Sequence, residues 1–373
     1  MAKKKSEEKE ISNLEKDLKV ILEGDEMEEV NEFIPTGSTL LDYAIANREN
    51  GGVPVGRITE IIGENSSGKT LLCAHLAANA QKKNGVVVFI DTEHSFDKGF
   101  SLRIGINHQK GFCYKENLDC LEEVFIYIDK TIAKIRQQFP NVLTLIVWDS
   151  VGATPARVEL EDEFDPTKQM AVQARIMSKG LRKICGTIKK ERIALVVTNQ
   201  LRTKIGIAFG DPDTTGHGRA LSFYASVRMK LSTRQKIINP KTKDVLGIHM
   251  VVKIFKNKLG PGFRTVEMPI FYDYGISDKQ SWLTYLEELE IVSGTAWKKI
   301  VADGKEYTFQ SAGWLKTLKE NPDLEEFILK KIASKMIIIY GPKEDLDIDL
   351  GSFLEVDQIA SDLDKVDKVF EEE

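Results

Sequence analysis

An eight-residue stretch, Gly-Glu-Asn-Ser-Ser-Gly-Lys-Thr from Gly63 to Thr70, restricts the fold of this chain more than any other feature. It fits the pattern G-x-x-x-x-G-K-[ST], which is meaningful as a loop between a strand and the start of a helix. An apolar run, Ile58–Ile62, precedes it, and a helical pattern follows from Leu71. The glycines let the backbone turn its N–H groups toward phosphate oxygens, and the helix N-terminus adds a favourable dipole. The sequence therefore predicts a strand, a phosphate-binding loop and a helix, in that order.

Between about residue 33 and residue 275, apolar runs alternate with amphipathic stretches. Runs that are apolar almost throughout are typical of parallel strands covered by helices on both faces. The predicted strands are Arg57–Gly63, Val86–Asp91, Leu143–Asp149, Ile193–Asn199, Ser226–Leu231, His249–Lys256 and Thr265–Tyr272. The predicted helices are Lys69–Lys83, Leu118–Gln138 and Gln169–Lys190. The pattern indicates an α/β fold with a mostly parallel central sheet, the core of a P-loop NTPase.

The net charge of −5 over 373 residues would by itself argue against a nucleic-acid partner, but the charge is unevenly distributed. Residues 344–373 hold 12 acidic residues against Lys365 and Lys368, a net of −10, so the other 343 residues carry +5. No apolar h-region follows the basic start, no apolar run approaches the roughly 18 residues of a membrane helix, and the four cysteines form no C-x-x-C pair. We therefore expect a cytoplasmic protein with free thiols and no membrane partner.

A magnesium site is predicted beside the phosphate loop. Lys69 would place a positive charge on the β- and γ-phosphates, and the Thr70 hydroxyl could bind Mg²⁺. Asp149 ends the apolar strand that begins at Leu143, as a Walker-B carboxylate does. An aspartate at a strand end is otherwise often a turn former or a helix cap, but the neighbouring phosphate loop favours the metal site.

A further carboxylate is expected at the same edge, because parallel strands bring their carboxyl ends together. Glu93 follows the strand Val86–Asp91 and could polarise the water that attacks the γ-phosphorus. Asp91 lies closer to the strand and could equally be structural, and His94 alone is weak evidence of a site. These elements indicate a nucleoside triphosphate hydrolase without identifying what the hydrolysis drives.

At these motifs the chain resembles the bacterial RecA recombinase family. Gly56–Thr70 is similar to the family's phosphate loop with its leading strand, and Ile90–Asp97 to the segment with the catalytic glutamate, which places that role on Glu93. The resemblance implies ATP and Mg²⁺ as cofactors. It assigns ATP contacts to Gly63, Glu64, Asn65, Ser66, Ser67, Gly68, Lys69, Thr70, Leu71, Asp97 and Phe100. Phe100 stands where a tyrosine is usual, which keeps a ring for stacking and loses the hydroxyl.

The segment Thr198–Arg228 resembles the family's second DNA-binding loop almost end to end. The resemblance makes Gln200 the sensor of the γ-phosphate. The loop, about 201–219, is rich in glycine and offers basic residues and an apolar wedge to single-stranded DNA. Its candidate DNA contacts are Arg202, Lys204, Phe209, Gly218 and Arg219. An ordinary surface loop is the alternative, but a loop of about 20 residues within a compact domain is usually functional. His217 replaces a glycine of the family pattern.

The family's first DNA-binding loop corresponds to about 159–173. Met170 and Ala171 would occupy its tip, and Arg175, Ser178 and Arg182 would follow on one helical face, where they could track phosphates. The acidic start of the loop would repel DNA. Without the resemblance, Arg175 and Arg182 would simply read as a solvated face.

Lys256 and Lys258 match a strand end that, in the family, faces the ATP of the neighbouring subunit. The resemblance implies that both act in trans, as arginine fingers do, whereas a basic turn is the alternative from the sequence alone. The similarity covers about residues 33–335. The extra residues Asn47–Asn50 depart from the bacterial pattern, which is compatible with a phage-encoded or divergent member, in which case the infected host's cytoplasm is the expected location.

Four regions are predicted. Residues 1–32 form a helical arm for oligomerisation, 33–275 the RecA-like ATPase core, 276–340 a small α+β C-terminal domain, and 341–373 an acidic, disordered tail. The tail is hypothesised to compete with DNA for basic surfaces and so restrain duplex binding.

The leading hypothesis is a DNA-dependent ATPase that forms helical filaments on single-stranded DNA and pairs it with homologous duplex DNA in recombination and repair. Filaments imply a homo-oligomer, with inactive rings as a further form. A ring-forming helicase of the same core is the first alternative, disfavoured by the 200–228 segment and by the lack of a helicase loading domain. A nucleotide-gated scaffold that does not bind DNA is the second alternative.

Overall fold

The computed structural model describes residues 29–161, 166–203, 213–215 and 219–339, and it describes no side chains within 161–171 and 202–218. The chain divides into two units, Met1–Ile337 and Ile338–Glu373. Only the first is treated below, because just two residues of the second are described. The predicted arm (except its last residues) and the predicted acidic tail lie outside the described residues. The limits of the four predicted regions therefore stay a prediction.

The described elements alternate between strand and helix through the first half of the chain. The strands are β1 Phe33–Ile34, β2 Val53–Pro54, β3 Ile58–Gly63, β4 Val86–Asp91, β5 Phe112–Lys115, β6 Thr144–Asp149, β7 Ile193–Thr203, β8 Asp213–Thr215, β9 Val227–Ile238, β10 Val245–Asn257, β11 Thr265–Phe271, β12 Gly275–Ile276, β13 Lys298–Ala302 and β14 Lys305–Phe309. The helices are α1 Thr39–Ala46, α2 Lys69–Lys82, α3 Lys98–Ile104, α4 Leu121–Gln138, α5 Arg157–Glu161, α6 Pro166–Lys190, α7 Ala220–Tyr224, α8 Asp278–Glu288, α9 Trp314–Glu320 and α10 Pro322–Met336.

One large sheet organises the described residues, in the strand order β12-β11-β10-β9-β3-β7-β6-β4-β5, with β8 attached to β7. The strands from β9 to β5 along this order are all parallel, and β10, β11 and β12 continue the sheet antiparallel. This arrangement confirms the predicted α/β class with a mostly parallel central sheet. All seven predicted strands are present, and β7, β9 and β10 are longer than the sequence indicated.

Successive residues of the parallel strands enter two different hydrophobic clusters. Val87 and Phe89 of β4 lie in the cluster that contains α1 and α2, whereas Val88 and Ile90 lie in the cluster that contains α4 and α6. Side chains alternate between the two faces of a strand, so the sheet is buried on both sides. That is why these strands are largely apolar. Among the described residues, no helix has the length and apolarity needed to cross a bilayer.

The elements from β12 onward pack into the same cluster as α1 and α2. His75 of α2 accepts a hydrogen bond from the Ile276 N–H at 3.0 Å, and burial lowers the pKa of His75 to about 4, so the ring is neutral at physiological pH. Asp278 accepts from the backbone N–H and the hydroxyl of Thr39 at 2.7 and 2.6 Å. The His75 bond attaches the C-terminal elements to α2, the helix that follows the phosphate loop, and the Asp278 bonds attach them to α1.

The first predicted DNA-binding loop, 159–173, is wrong as a loop wherever the structure describes it. Helix α5 covers its start and α6 begins at Pro166, so Met170 and Ala171 lie in helical backbone rather than at a loop tip. Proline suits the first turn of a helix, and residues 167–173 after it are mostly good helix formers and include no glycine. In the second predicted loop, 201–219, the described residues 201–203 and 213–215 form paired strands, because β7 extends to Thr203 and pairs with β8.

Close packing of α6 on α4 depends on one glycine. A Cβ at Gly180 would lie 2.3–2.4 Å from ring atoms of Phe125, whereas a Cβ at Gly186 of the same helix would meet nothing within 4 Å. We expect Gly180→Ala to lower the free energy of unfolding by about 1–3 kcal/mol through overpacking. Gly186→Ala is the matched control and should raise it by about 0.5–1 kcal/mol. Urea unfolding of both variants checks this, and a Gly180→Ala protein as stable as Gly186→Ala would contradict it.

Candidate active site

The phosphate-loop motif occupies the turn between β3 and α2, where the carboxyl ends of the parallel strands meet. Gly63 closes the strand in a space without room for a side chain, because a Cβ there would lie 2.4 Å from Ser67 Oγ and 2.8 Å from Leu231 O. Gly68 has φ +94°, in the left-handed region that favours glycine, immediately before the helix begins. Both glycines of the motif are therefore required by the backbone path, as the sequence pattern predicts.

Lys69 is held over the loop by two backbone carbonyls. Its Nζ donates to Gly63 O at 3.1 Å and to Glu64 O at 2.8 Å. Burial lowers the pKa of this ammonium, while the negative charges of Glu93 and Asp149 act to raise it. The side chain is thus a preorganised, partly desolvated donor at the place where phosphate oxygens would lie.

A hydroxyl and a carboxylate meet at the end of β6. The Thr70 hydroxyl donates to Asp149 Oδ2 at 2.6 Å, and the Thr198 hydroxyl donates to Asp149 Oδ1. Burial raises the pKa of Asp149, against the lowering effect of the two hydrogen bonds. Magnesium in nucleotide sites is usually held by one or two carboxylates together with phosphate oxygens, so the donors present fit Mg²⁺. No local sequence signal marks Thr198, because β4, β5 and β6 lie between the phosphate loop and β7 along the chain.

Glu93 and Gln200 contact each other across the edge of the sheet. Gln200 Nε2 donates to Glu93 Oε1 at 2.9 Å, and the Ser150 hydroxyl donates to the same oxygen. The pairing joins the segment after β4 to β7, which are separated by β6 in the sheet. The candidate catalytic carboxylate and the candidate sensor therefore form one unit.

Asp91, which the sequence left open, has structural partners. It is fully buried and accepts hydrogen bonds from the backbone N–H groups of Glu93 and Phe96, at 3.1 and 2.9 Å, and from the Tyr114 hydroxyl at 3.0 Å. These bonds hold the turn that carries Glu93. His94 is exposed, and its Nδ1 lies 3.7 Å from Glu116 Oε2.

A cavity of about 450 Å³ opens in front of the loop. Lys69, Thr70, Glu93, Asp97 and Phe100 all line it, so the structure brings most of the predicted ATP contacts and Glu93 to one space. Asp97 also caps α3 by accepting from the Phe100 N–H at 2.5 Å. Three further side chains that the sequence did not single out complete the wall from the antiparallel half of the sheet: Ile248, Ile270 and Tyr272.

Lys256 and Lys258 do not line this cavity. Lys256 Nζ donates to Ser222 O at 2.6 Å and to Phe223 O at 3.2 Å. Burial lowers the pKa of Lys256, and the positive charges of Lys258 and Arg228 lower it further. Phe223 beside it is 73% exposed. The two lysines thus lie at a different face of the subunit from its own phosphate loop.

The predicted DNA contacts are only partly described. Arg175 and Arg182 are exposed on α6 with Ser178 half-buried between them, and Arg219 is exposed immediately before α7. The side chains of Met170, Ala171 and Arg202, and residues Lys204, Phe209 and Gly218 as a whole, lie outside the described part. Arg175, Ser178 and Arg182 therefore lie on one helix, α6, as predicted, and their role in DNA binding stays a prediction.

Taken together, the sheet order, the phosphate loop and the carboxylates at one edge define a P-loop NTPase. The family model of the RecA N-terminal domain matches residues 5–277. Protein RecA of Streptomyces coelicolor is 38% identical over 326 residues, covering 86% of this chain and 82% of that protein. Protein RecA of Thermotoga petrophila is 36% identical over 331 residues, covering 87% and 89%, and that of Roseiflexus castenholzii 37% over 334 residues, covering 87% and 89%.

The chain belongs to the RecA family. This confirms the recognition made from the motifs. It also confirms the assignment of the chain to the recombinases of homologous recombination and repair.

The Thr198 hydroxyl is expected to matter for the metal site. Thr198→Val keeps the shape of the side chain but leaves Asp149 Oδ1 without this donor, which should weaken Mg²⁺-dependent nucleotide binding about tenfold or more. Thr198→Ser keeps the hydroxyl and is the control. Titration of a fluorescent ATP analogue with increasing Mg²⁺ measures the effect. Equal Mg²⁺ dependence in the Val and Ser variants would show that the hydrogen bond has no such role.

Proposed function

We propose that this chain is a DNA-dependent ATPase that polymerises on single-stranded DNA, pairs it with homologous duplex DNA and promotes strand exchange. The observation that carries the proposal is the convergence of Lys69, Thr70, Asp149, Glu93 and Gln200 at one edge of the sheet. Gln200 belongs to this cluster and also begins the segment that resembles a DNA-binding loop. The cluster is therefore joined to the proposed DNA site through the backbone that follows Gln200.

Nucleotide binding would use the phosphate loop and its lysine. The backbone N–H groups between Gly63 and Thr70 and the N-terminus of α2 would surround the β- and γ-phosphates. Lys69 would exchange its bonds to Gly63 O and Glu64 O for bonds to phosphate oxygens. Phe100 and Tyr272, which both line the cavity, would contact the base. Mg²⁺, held by Thr70 and Asp149, would neutralise charge that develops on the phosphates.

Hydrolysis would require only a positioned water and charge stabilisation. Glu93 would accept the proton of the water whose oxygen attacks the γ-phosphorus. The bond between the γ-phosphorus and the oxygen that bridges it to the β-phosphate would break, which releases ADP and phosphate. Gln200 Nε2, which donates to Glu93, could instead donate to the γ-phosphate. This exchange of acceptors would report the state of the nucleotide to β7 and the segment that follows it.

The positions of Lys256 and Lys258 support an active site shared between subunits. Because they do not line the cavity of their own subunit, they can act on nucleotide only from a neighbour. A contact between two different faces of the same chain is heterologous and builds a ring or a helical filament. The exposed Phe223 next to Lys256 would be covered in such a contact.

Single-stranded DNA would be held mainly by charge. Arg175, Arg182 and Arg219 are exposed and free to meet backbone phosphates, together with the basic residues predicted in the 201–219 segment. The part of the chain outside residues 344–373 carries +5, which is consistent with an anionic partner.

The direct test is ATP hydrolysis with and without single-stranded DNA. The wild-type protein should be stimulated by DNA, and Lys69→Ala should lose about 100-fold or more of the stimulated turnover, because it removes a charge that stabilises the transition state. Lys82→Ala, at the exposed end of the same helix, is the control and should retain it. Full stimulated turnover in Lys69→Ala would contradict the site, and a wild-type rate indifferent to DNA would contradict the function.

A further inference from the structure

Glu60 is a buried carboxylate that the nucleotide cavity does not use. It lies in the middle of β3 with 0% exposure and is absent from the cavity wall. A buried carboxylate costs several kcal/mol of folding free energy unless it is paired. Each oxygen of Glu60 has a partner on a different strand: Asn199 Nδ2 donates to Oε1 at 3.2 Å, and Arg228 Nε donates to Oε2 at 2.5 Å.

The Asn199 contact leads to the proposed sensor. Asn199 is the residue immediately before Gln200, and its Oδ1 accepts a hydrogen bond from the Gln200 backbone N–H at 3.0 Å. The side chain of Asn199 is therefore held at both ends, by Glu60 on one side and by the sensor's own backbone on the other. Gln200 in turn reaches Glu93. Glu60 thus fixes the strand end from which Gln200 projects.

The Arg228 contact leads to the proposed trans-acting lysines. Arg228 is in register with Glu60 across the β3–β9 pair and with Lys256 across the β9–β10 pair, so the three residues form one row over adjacent strands. The Arg228 guanidinium lies 4.7 Å from the centre of the Phe255 ring, next to Lys256. Burial and the charge of Lys258 lower the pKa of Lys256 most. The positive charge of Arg228 lowers it further, and the negative charge of Glu60 raises it.

We propose that Glu60 is a positioning residue that links the Gln200 end of β7 to the Lys256 end of β10. The inference rests on the proposed function, since it concerns how a subunit's own sensor is aligned with the lysines it offers to its neighbour. One carboxylate with two donors from opposite sides resists a shift of either strand without the other. A change at Gln200 is therefore passed to the subunit interface through Asn199, Glu60 and Arg228.

Glu60→Gln tests the link with little change in shape. Glutamine replaces one carboxylate oxygen by an NH₂ group, which is a donor and cannot accept a hydrogen bond. The side chain can then no longer accept from both Asn199 and Arg228, so one of the two branches is lost. Asn199→Ala removes the sensor branch, because it removes both the donor to Glu60 and the acceptor of the Gln200 backbone N–H. Thr59→Val is the matched control, because Thr59 is the fully buried neighbour on β3 and its hydroxyl has no hydrogen-bond partner within the described residues.

The readout is the separation of nucleotide binding from DNA-stimulated turnover. Both Glu60→Gln and Asn199→Ala should keep the Kd for ATP within about threefold. Both should lower the DNA-stimulated kcat by about 100-fold, as expected for a displaced catalytic group. The double variant should be little worse than either single variant, because the two residues act in one chain of contacts. Thr59→Val should match the wild type.

The outcomes separate the role of Glu60 from the proposed function. A wild type without DNA stimulation would contradict the function and the inference together. If DNA stimulates ATP hydrolysis in the wild type and equally in Glu60→Gln and Asn199→Ala, the inference alone is overturned. It is also overturned if the losses of DNA-stimulated kcat in the two single variants add in the double variant. If Glu60→Gln does not fold, as urea unfolding would show, Asn199→Ala decides the question by itself.

Discussion

Parallel pairing of β3 with β7 and β9 is the constraint on which the site depends. The register places Gly63 beside Gln200 on one side and beside Leu231 on the other, and the neighbouring β4–β6 pair places Asp91 beside Asp149. Because all these strands run in one direction, their last residues reach the same edge. The phosphate loop, the Asp149 carboxylate and the candidate sensor meet there as a consequence of register.

Much of this could be predicted from the sequence because it is local. The parallel strands are largely apolar runs buried on both faces, and the phosphate loop has a fixed spacing between a strand and a helix. The start of α6 at Pro166 was missed because an acidic stretch with a proline resembles a loop, although proline also begins helices. Thr198 and Glu60 could not be predicted, since their partners come from strands distant in sequence, and neither could Tyr272, which meets the phosphate loop only at the cavity.

The edge of the sheet and the interior of β3 concentrate groups that oppose folding. Asp149, Lys69 and Glu60 are charged side chains taken largely out of water, and Gly63 and Gly68 give up chain entropy for close approach. Hydrogen bonds from Thr198, Asn199 and Arg228 offset part of this cost and fix the directions of the carboxylates. Such preorganisation is what an electrostatic mechanism of phosphoryl transfer requires.

Complementation between two inactive variants tests most directly the claim that the active site is shared between subunits. One variant carries Lys69→Ala, and the other carries Lys256→Ala together with Lys258→Ala. Each should hydrolyse ATP slowly in the presence of single-stranded DNA. An equal mixture should recover about a quarter of the wild-type rate, because about one contact in four joins an intact phosphate loop to intact lysines. A mixture no more active than its components would contradict the account.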